Sequence, residues 1–134
     1  MRETTPKPAA HLRAGQQAEE RACAFLVAQG LTIVERNVRV PGGEIDIVAR
    51  DGAVLVFVEV RWRRTRGFGG ALASLGWRKR ERMAHAAQVY LMRFRTPPAC
   101  RLDALCCDGA EAPAPRSQHD ALSPADHWHW VRGL

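Results

Sequence analysis

Residues 44–60 decide the fold, and their sequence is Glu-Ile-Asp-Ile-Val-Ala-Arg-Asp-Gly-Ala-Val-Leu-Val-Phe-Val-Glu-Val. Two apolar runs, at 44–48 and 54–60, flank the dipeptide Asp51-Gly52, and Asp-Gly between apolar runs is a strong signal for a β-hairpin. The second run is apolar on both faces at 57–58, which is typical of a central strand that is covered on both sides. We therefore predict a hairpin in the middle of a sheet.

The sequence on both sides of the hairpin predicts further elements, because apolar residues recur at helical or strand spacing between glycine and proline stops. These are a helix from Gly15 that stops at Gly30, a strand at Thr32–Val40, a long helix from about Ala71 to Phe94, a strand at Arg101–Cys107, and an edge strand or packing segment at His127–Leu134. We expect an α/β fold with a mixed sheet of four or five strands. The first helix should pack on one side of the hairpin and the long helix elsewhere against the sheet.

A chain of 134 residues fits one domain. We expect residues 1–13 to be a flexible tail and residues 14–134 to be a single domain, in which Asp108–Asp126 is a loop rich in proline and alanine. No apolar run reaches the roughly 18 residues that cross a membrane, and the N-terminus has no apolar segment behind its charges. The expected location is the cytoplasm, without a membrane partner.

The charge of the chain favours a polyanionic partner. Twenty Lys and Arg against fourteen Asp and Glu give a net charge of +6 and a pI near 9.9. Eight of the basic residues crowd into 22 positions: Arg61, Arg63, Arg64, Arg66, Arg78, Lys79, Arg80 and Arg82. Such a cluster can neutralise phosphates and release their counterions, although a solvated arginine-rich surface explains it equally well.

The four cysteines, Cys23, Cys100, Cys106 and Cys107, lack the C-x-x-C spacing of a zinc site. In a reducing cytoplasm, we interpret them as small buried hydrophobic residues rather than as disulfide partners or metal ligands.

The hairpin carries acidic residues whose spacing predicts a shared site. Side chains alternate between the faces of a strand, so the odd separation between Asp46 and Glu59 places both carboxylates on the same face. With Asp51 and Gly52 as the turn residues, Glu44 lies opposite Glu59 and Asp46 lies diagonal to it. Three acidic groups and the cation of Arg61 then converge.

Carboxylates that face each other across a strand pair repel, and burial makes the repulsion worse. A divalent cation reverses the sign of that interaction, since Mg²⁺ prefers carboxylate oxygens and retains several waters. We therefore predict that Asp46 and Glu59 bind Mg²⁺ or Mn²⁺. The alternative is that Glu44 and Arg61 are residues at the rim of the sheet that form ordinary cross-strand ion pairs.

These segments resemble a known family. GGEIDIVARDG (42–52) and LVFVEVRWRR (55–64), preceded by GQQAEERACAFL (15–26) and followed by GG-x3-S-x4-K (69–79), resemble the YraN-type family of uncharacterised bacterial proteins. The match covers roughly Gly15 to Asp103. That family is similar to Holliday-junction resolvases and to PD-(D/E)XK nucleases, so the resemblance implies a restriction-endonuclease-like fold.

By position, the resemblance implies that Asp46 and Glu59 are the metal-binding acids and that Glu19 is an acid near the metal. Arg61 stands where these nucleases usually carry Lys. Arginine stays protonated and is a poor proton carrier, so Arg61 can stabilise a phosphate but not exchange a proton, and Lys79 is the candidate substitute. The implied catalytic residues are thus Glu19, Asp46, Glu59 and Arg61.

The implied function is DNA binding, with hydrolysis of branched or structured DNA in Mg²⁺. The predicted nucleic-acid contacts are Arg63, Arg64, Arg66, Arg78 and Lys79. Two alternatives stay open: a nucleic-acid-binding module that lacks catalysis, and a protein-interaction domain whose arginine surface meets an acidic partner. The oligomeric state is open as well, a homodimer included.

Overall fold

The computed structural model describes residues 10–63, 75–108 and 128–134. The elements are α1 (Ala10–Ala28), β1 (Thr32–Val40), β2 (Gly43–Asp51), β3 (Val54–Arg63), α2 (Trp77–Leu91), β4 (Cys100–Asp108) and β5 (Trp128–Arg132). The five strands form one sheet in the order β1-β2-β3-β4-β5. Only β3 and β4 among these neighbours are parallel, so the sheet is mixed. This confirms the predicted α/β, restriction-endonuclease-like architecture.

Each face of the sheet is covered by one helix. On the α2 side, Phe57 meets Tyr90 edge to face, with ring centroids 5.6 Å apart, in a core that also contains Ile45, Val48, Leu55, Met83 and Ala86. On the α1 side the buried residues are Ala22, Leu26, Leu31, Ile47, Ala49, Val56, Val58 and Leu105. The two helices therefore pack on different sides, as predicted, and β3 is a central strand buried on both faces.

The hairpin turn differs from the prediction by one residue, and the register by two. Asp51 pairs with Val54, so the loop is Gly52-Ala53 rather than Asp51-Gly52. Gly52 has a φ of 60° and Ala53 has no positive φ. A positive φ at the first loop position alone is the requirement of a type II′ turn, whereas the Asp-Gly assignment assumes two positive φ angles. The face of each side chain is unchanged, because a shift of two residues preserves the alternation.

The long helix is shorter than predicted at both ends. Residues 71–74 lie outside the described residues, but Leu75 and Gly76 are not helical, and Gly76 has an extended backbone with ψ near 172°. After Leu91, the amides of Met92 and Phe94 bond only three residues back, at 3.2 Å and 3.1 Å, so the helix tightens into turns.

The other elements follow the sequence closely. β1 has the predicted bounds, β4 exceeds the predicted strand by one residue at each end, and β5 is the predicted edge strand beside β4. Helix α1 begins five residues before Gly15, inside the expected tail, and ends just before Gly30, whose φ is 95°. Residues 1–9, Gly67–Gly70 and 109–127 lie outside the described residues.

Two smaller predictions have mixed outcomes. Cys106 and Cys107 are buried and Cys23 is half-buried, but Cys100 is exposed, so the prediction of a buried residue is wrong there. Within the described residues, neither α1 nor α2 combines the length and the apolar character that a membrane crossing requires.

Candidate metal and phosphate site

Asp46 and Glu59 lie side by side on β2 and β3 at the point where the ladder between these strands stops. The last paired residues are Ile47 and Val58, and continuing that register places Asp46 opposite Glu59. Beyond this point the Asp46 side chain replaces the backbone as acceptor, since its Oδ2 accepts a 2.8 Å hydrogen bond from the N–H of Val60. The strand end therefore fixes the Asp46 carboxylate.

Glu59 is a buried carboxylate whose two oxygens have unequal surroundings. Its side chain is 2% exposed. Oε1 lies 3.4 Å from Nζ of Lys79 and 3.6 Å from Nη1 of Arg61, whereas Oε2 is buried without a hydrogen-bond partner. A buried oxygen without a partner costs free energy, so it is a position where a proton or a cation would be stabilising.

The raised pKa values of Glu59 and Asp46 also indicate that positive charge is stabilising at this position. Burial, followed by the nearby charge of Asp46, raises the pKa of Glu59 from 4.5 to about 8. Burial also raises the pKa of Asp46, against the lowering effect of the Val60 hydrogen bond. One proton on Glu59 can be donated to Asp46, which relieves the repulsion between the two groups.

Glu44 does not complete a set of three metal ligands. Its Oε1 lies 3.3 Å from Nζ of Lys79, so it joins an ion pair with the same lysine that contacts Glu59. Among the described residues, no three acidic, histidine or cysteine side chains already converge on one metal position. The predicted position of Glu44 directly opposite Glu59 is wrong, because the corrected register places Glu44 level with Arg61, although Glu44 and Glu59 still share Lys79.

Glu19 reaches the same site from α1. Burial, followed by the charge of Asp46, raises the pKa of Glu19 from 4.5 to about 7. Its Oε1 is buried without a hydrogen bond, and Nη2 of Arg36 is 3.8 Å away, which is too far for one. The sequence did not single out Arg36, because its side of the site belongs to β1 rather than to the hairpin motif.

Lys79 reaches Glu59 because α2 docks closely on the start of β2. A Cβ at Gly43 would overlap the carbonyl oxygen of Arg82 and lie 3.2 Å from Cβ of Ala86, so only glycine permits this approach. His85 adds a 3.0 Å hydrogen bond between its Nε2 and the carbonyl oxygen of Pro41. These contacts hold the middle of α2 against the start of β2, and Lys79, one turn earlier, reaches Glu59.

The residues fit a hard divalent cation with an incomplete protein shell. Asp46 and Glu59 supply two carboxylates, and the unpartnered Oε2 of Glu59 is available as a ligand. Mg²⁺ commonly takes one or two carboxylates and completes its shell with water and substrate phosphate. The prediction that these two residues bind metal stays a prediction.

Asp103 shows what a structural buried acid looks like in the same sheet. It is fully buried, and Arg101 donates to both its oxygens at 3.1 Å. Trp130 Nε1 and the N–H of Gly133 each donate at 3.0 Å. Asp103 is thus paired with the arginine two positions before it on the same strand. Unlike Glu59, Asp103 has a hydrogen bond to each oxygen and therefore no need of a further cation.

The predicted nucleic-acid contacts are only partly covered by the structure. Arg78 is exposed in the first turn of α2, and Lys79 is half-buried at the acidic site. The side chain of Arg63 and the residues Arg64 and Arg66 lie outside what the structure describes. Their role stays a prediction.

Comparison with known proteins identifies relatives that cover most of the chain. The model of the uncharacterised protein family UPF0102 matches residues 18–107, which confirms the family predicted from the sequence. A UPF0102 protein of Janthinobacterium sp. (strain Marseille) is 50% identical over 79% of this chain and 85% of its own. UPF0102 proteins of Shewanella loihica and Acidovorax sp. (strain JS42) are each 48% identical. The former match covers 75% of this chain and 89% of the relative, the latter 90% and 82%.

Proposed function

This chain belongs to the uncharacterised protein family UPF0102, and on that premise we propose that it binds DNA and hydrolyses its phosphodiester bonds with Mg²⁺ or Mn²⁺. Branched or otherwise structured DNA is the proposed substrate, in line with the resemblance to Holliday-junction resolvases. The observation that carries the proposal is the state of Glu59, a fully buried acid beside a second acid, with one oxygen that has no hydrogen bond.

The alternative of a purely structural acid cluster accounts poorly for this arrangement. Burying a carboxylate is costly unless its oxygens are satisfied, and Asp103 shows that this sheet can satisfy one completely. Two acids that face each other with an orphan oxygen lower the stability of the fold, and Lys79 and Arg61 offset this only in part. Such incompletely compensated electrostatics are typical of functional sites.

Each residue of the site has a distinct role in the proposed reaction. Asp46 and Glu59 hold the cation, which, when bound, supplies Lewis-acid stabilisation of the phosphate and a more acidic water. Glu19, with a pKa of about 7, accepts the proton of the attacking water at neutral pH. Lys79 and Arg61 stabilise the negative charge that develops on the phosphate as the bond to the leaving oxygen breaks.

The charge of the chain supports a nucleic-acid substrate over an acidic protein. The two cations on Glu59 are neighbours in sequence of Arg63 and of Arg78, Arg80 and Arg82, so basic residues extend outward from the acidic pair. A phosphate backbone is a continuous row of negative charge that passes both the site and its surroundings. An acidic protein partner gives no reason for a buried acid pair.

The test combines metal binding with cleavage. Calorimetry with Mn²⁺ should detect one site of millimolar to micromolar affinity in the parent, lost in Asp46→Asn and Glu59→Gln. The same variants should fail to nick supercoiled or four-way-junction DNA. Glu19→Gln should retain metal but lose cleavage, and Glu20→Gln, an exposed neighbour on α1, is the matched control that should change neither.

Three outcomes separate the proposal from its alternatives. Metal binding that survives both Asp46→Asn and Glu59→Gln means that the site is assigned wrongly. DNA binding without cleavage by the parent, in Mg²⁺ and in Mn²⁺, identifies a binding module without catalysis. The absence of both metal and DNA binding favours the protein-interaction alternative.

A further inference from the structure

Trp77 is exposed to an extent that the other tryptophans of the chain are not. Its side chain, at the first position of α2, is 65% exposed. The remaining three, Trp62, Trp128 and Trp130, are half-buried, and the last two pack on Phe25. A single exposed apolar residue is not unusual, but a tryptophan leaves a large flat ring in water without any gain in core packing.

The surroundings of Trp77 select a particular kind of partner. The guanidinium carbon of Arg78 lies over its ring, 5.5 Å from the centroid. Arg80 and Glu81, three and four positions on, lie on the same side of the helix and are both exposed. A flat aromatic surface beside the cations of Arg78 and Arg80 complements a nucleobase that carries its own phosphate, since bases stack on aromatic rings while basic residues follow the backbone.

We propose that Trp77 is a stacking platform for an unpaired base of the bound nucleic acid. This inference rests on the proposed function and adds a substrate class to it: DNA with unpaired nucleotides next to the site, such as a junction, flap or gap. A base inside a continuous duplex has both faces covered by its neighbours. Only a nucleotide without a stacked partner has a face free for the ring.

The geometry of α2 places this platform beside the acidic site and not within it. Successive residues of an α-helix are about 100° apart around the axis, so Trp77 and Lys79 project from nearly opposite sides, with Arg78 between them. A helix with its side chains is about 10–12 Å across, so a strand must cover roughly that distance. The base on Trp77 is therefore separated by several nucleotides from a phosphate at the acidic site.

The experiment compares Trp77→Ala with the parent on two DNA ligands in EDTA, which removes cleavage and metal from the measurement. Fluorescence anisotropy gives the Kd for a fluorescein-labelled duplex with a central gap of several nucleotides, and for the uninterrupted duplex of the same length. Trp77→Ala should weaken binding of the gapped ligand about 5- to 160-fold, the usual value of one stacked base. The uninterrupted duplex should change less than about twofold.

Three controls distinguish stacking from a general loss of affinity. Trp77→Phe keeps an aromatic face and should retain most of the affinity for the gapped duplex. Met92→Ala removes an apolar side chain that is more exposed still, at 80%, just after the last residue of the same helix, and should have no effect. A single abasic site, moved along the gap, should lower the affinity of the parent at one position. At that position it should not lower the affinity of Trp77→Ala.

If Trp77→Ala loses the same affinity for the gapped and the uninterrupted duplex, the inference is overturned, because Trp77 would then support binding of the backbone only. An unchanged affinity on both also overturns it and leaves Trp77 as a contact for a protein. If the parent binds neither ligand at 50 mM salt, DNA binding itself fails, and the inference fails with it. If the parent binds both ligands and only the Trp77→Ala pattern is absent, the proposed function stands and the stacking platform does not.

Discussion

Nζ of Lys79 lies 3.4 Å from Oε1 of Glu59, so a cation reaches the central strand from helix α2. Arg61, two positions along the strand, is 3.6 Å from the same oxygen. The resemblance to PD-(D/E)XK nucleases implies a lysine at the strand position, where this chain carries arginine. Two cations therefore lie near one oxygen of Glu59, one from the strand itself and one from α2.

We expect Lys79→Ala to be the more damaging change in a cleavage assay. Lysine is a compact charge, and removal of one preorganised charge-stabilising group typically costs about 10²-fold or more in rate. Arg61→Ala should be comparatively mild, and Arg61→Lys should preserve or raise activity. Single-turnover cleavage in saturating Mn²⁺ measures the effect on chemistry. If Arg61→Ala is the worse variant, the strand arginine is the principal cation after all.

Stability should fall as the pH rises, because the folded state holds protons that the unfolded state has released. The pKa of Glu59 is about 8 in the fold against an ordinary value of 4.5. A raised pKa contributes stability that is fully present below the unfolded value and is lost as the pH passes through the folded value. The loss therefore falls between about pH 4.5 and pH 8, and its size is of the order of a few kcal/mol.

Urea unfolding at pH 5.5 and pH 8.5 measures this loss directly. Glu59→Gln should remove most of the difference between the two pH values, and a smaller slope from Glu19 should remain. At pH 8.5, Mn²⁺ should restore stability to the parent but not to Glu59→Gln, since a ligand that binds only the folded state stabilises it. If the parent and Glu59→Gln lose the same free energy of unfolding between pH 5.5 and pH 8.5, the acid pair is not strained.

Gly43→Ala should loosen the dock of α2 on the hairpin. The added Cβ would overlap the carbonyl oxygen of Arg82, which belongs to rigid helix backbone. We expect a loss of about 1–3 kcal/mol in the free energy of unfolding. Gly15→Ala is the matched control, because nothing lies within 4 Å of its added Cβ and helical alanine is favoured over glycine by about 0.5–1 kcal/mol. An equally stable Gly43→Ala would show that α2 can shift without cost.

DNA affinity should depend steeply on salt if phosphates are the main contacts. If the protein neutralises six or more phosphates, its affinity for DNA should fall about 10³-fold or more as the salt concentration rises from 50 to 200 mM. Replacing Arg63, Arg64 and Arg66 with Ala should flatten the slope of log Kd against log salt. Arg93→Ala is the comparison, since that arginine is ion-paired to Glu35 at 2.9 Å beyond the last turn of α2. A slope unchanged in the triple variant would exclude these arginines as phosphate contacts.

The sequence predicts this fold well because the information is local. Alternation on both strands and the Asp-Gly dipeptide define the hairpin, and the parity of Asp46 and Glu59 survives an error of two in register. The partner of Glu59 is not local. Lys79 reaches it only because Gly43 admits α2 so closely, and a contact between a glycine and a helix carbonyl leaves no periodic signal.

The site also depends on whether each buried carboxylate oxygen has a hydrogen bond, which a sequence cannot show. Glu59 and Asp103 are both acids in buried strands, with an arginine two positions away, and they look alike in the text of the chain. Only the structure shows that Trp130 and Gly133, from the far end of the chain, satisfy Asp103. Among the residues that the structure describes, none makes an equivalent hydrogen bond to Oε2 of Glu59.

The sheet order has a consequence for the time course of folding. Asp46 and Glu59 meet in a hairpin, and isolated hairpins close within about 1–10 μs. The parallel pairing of β3 with β4 must first close a long loop that includes α2, and such non-local pairing is slow. The two acids therefore come together before Lys79 arrives, when a proton and the neighbouring charge of Arg61 are what offset their repulsion. We expect refolding in stopped-flow experiments to slow as the pH rises from 5.5 to 8.5, and to lose that dependence in Glu59→Gln.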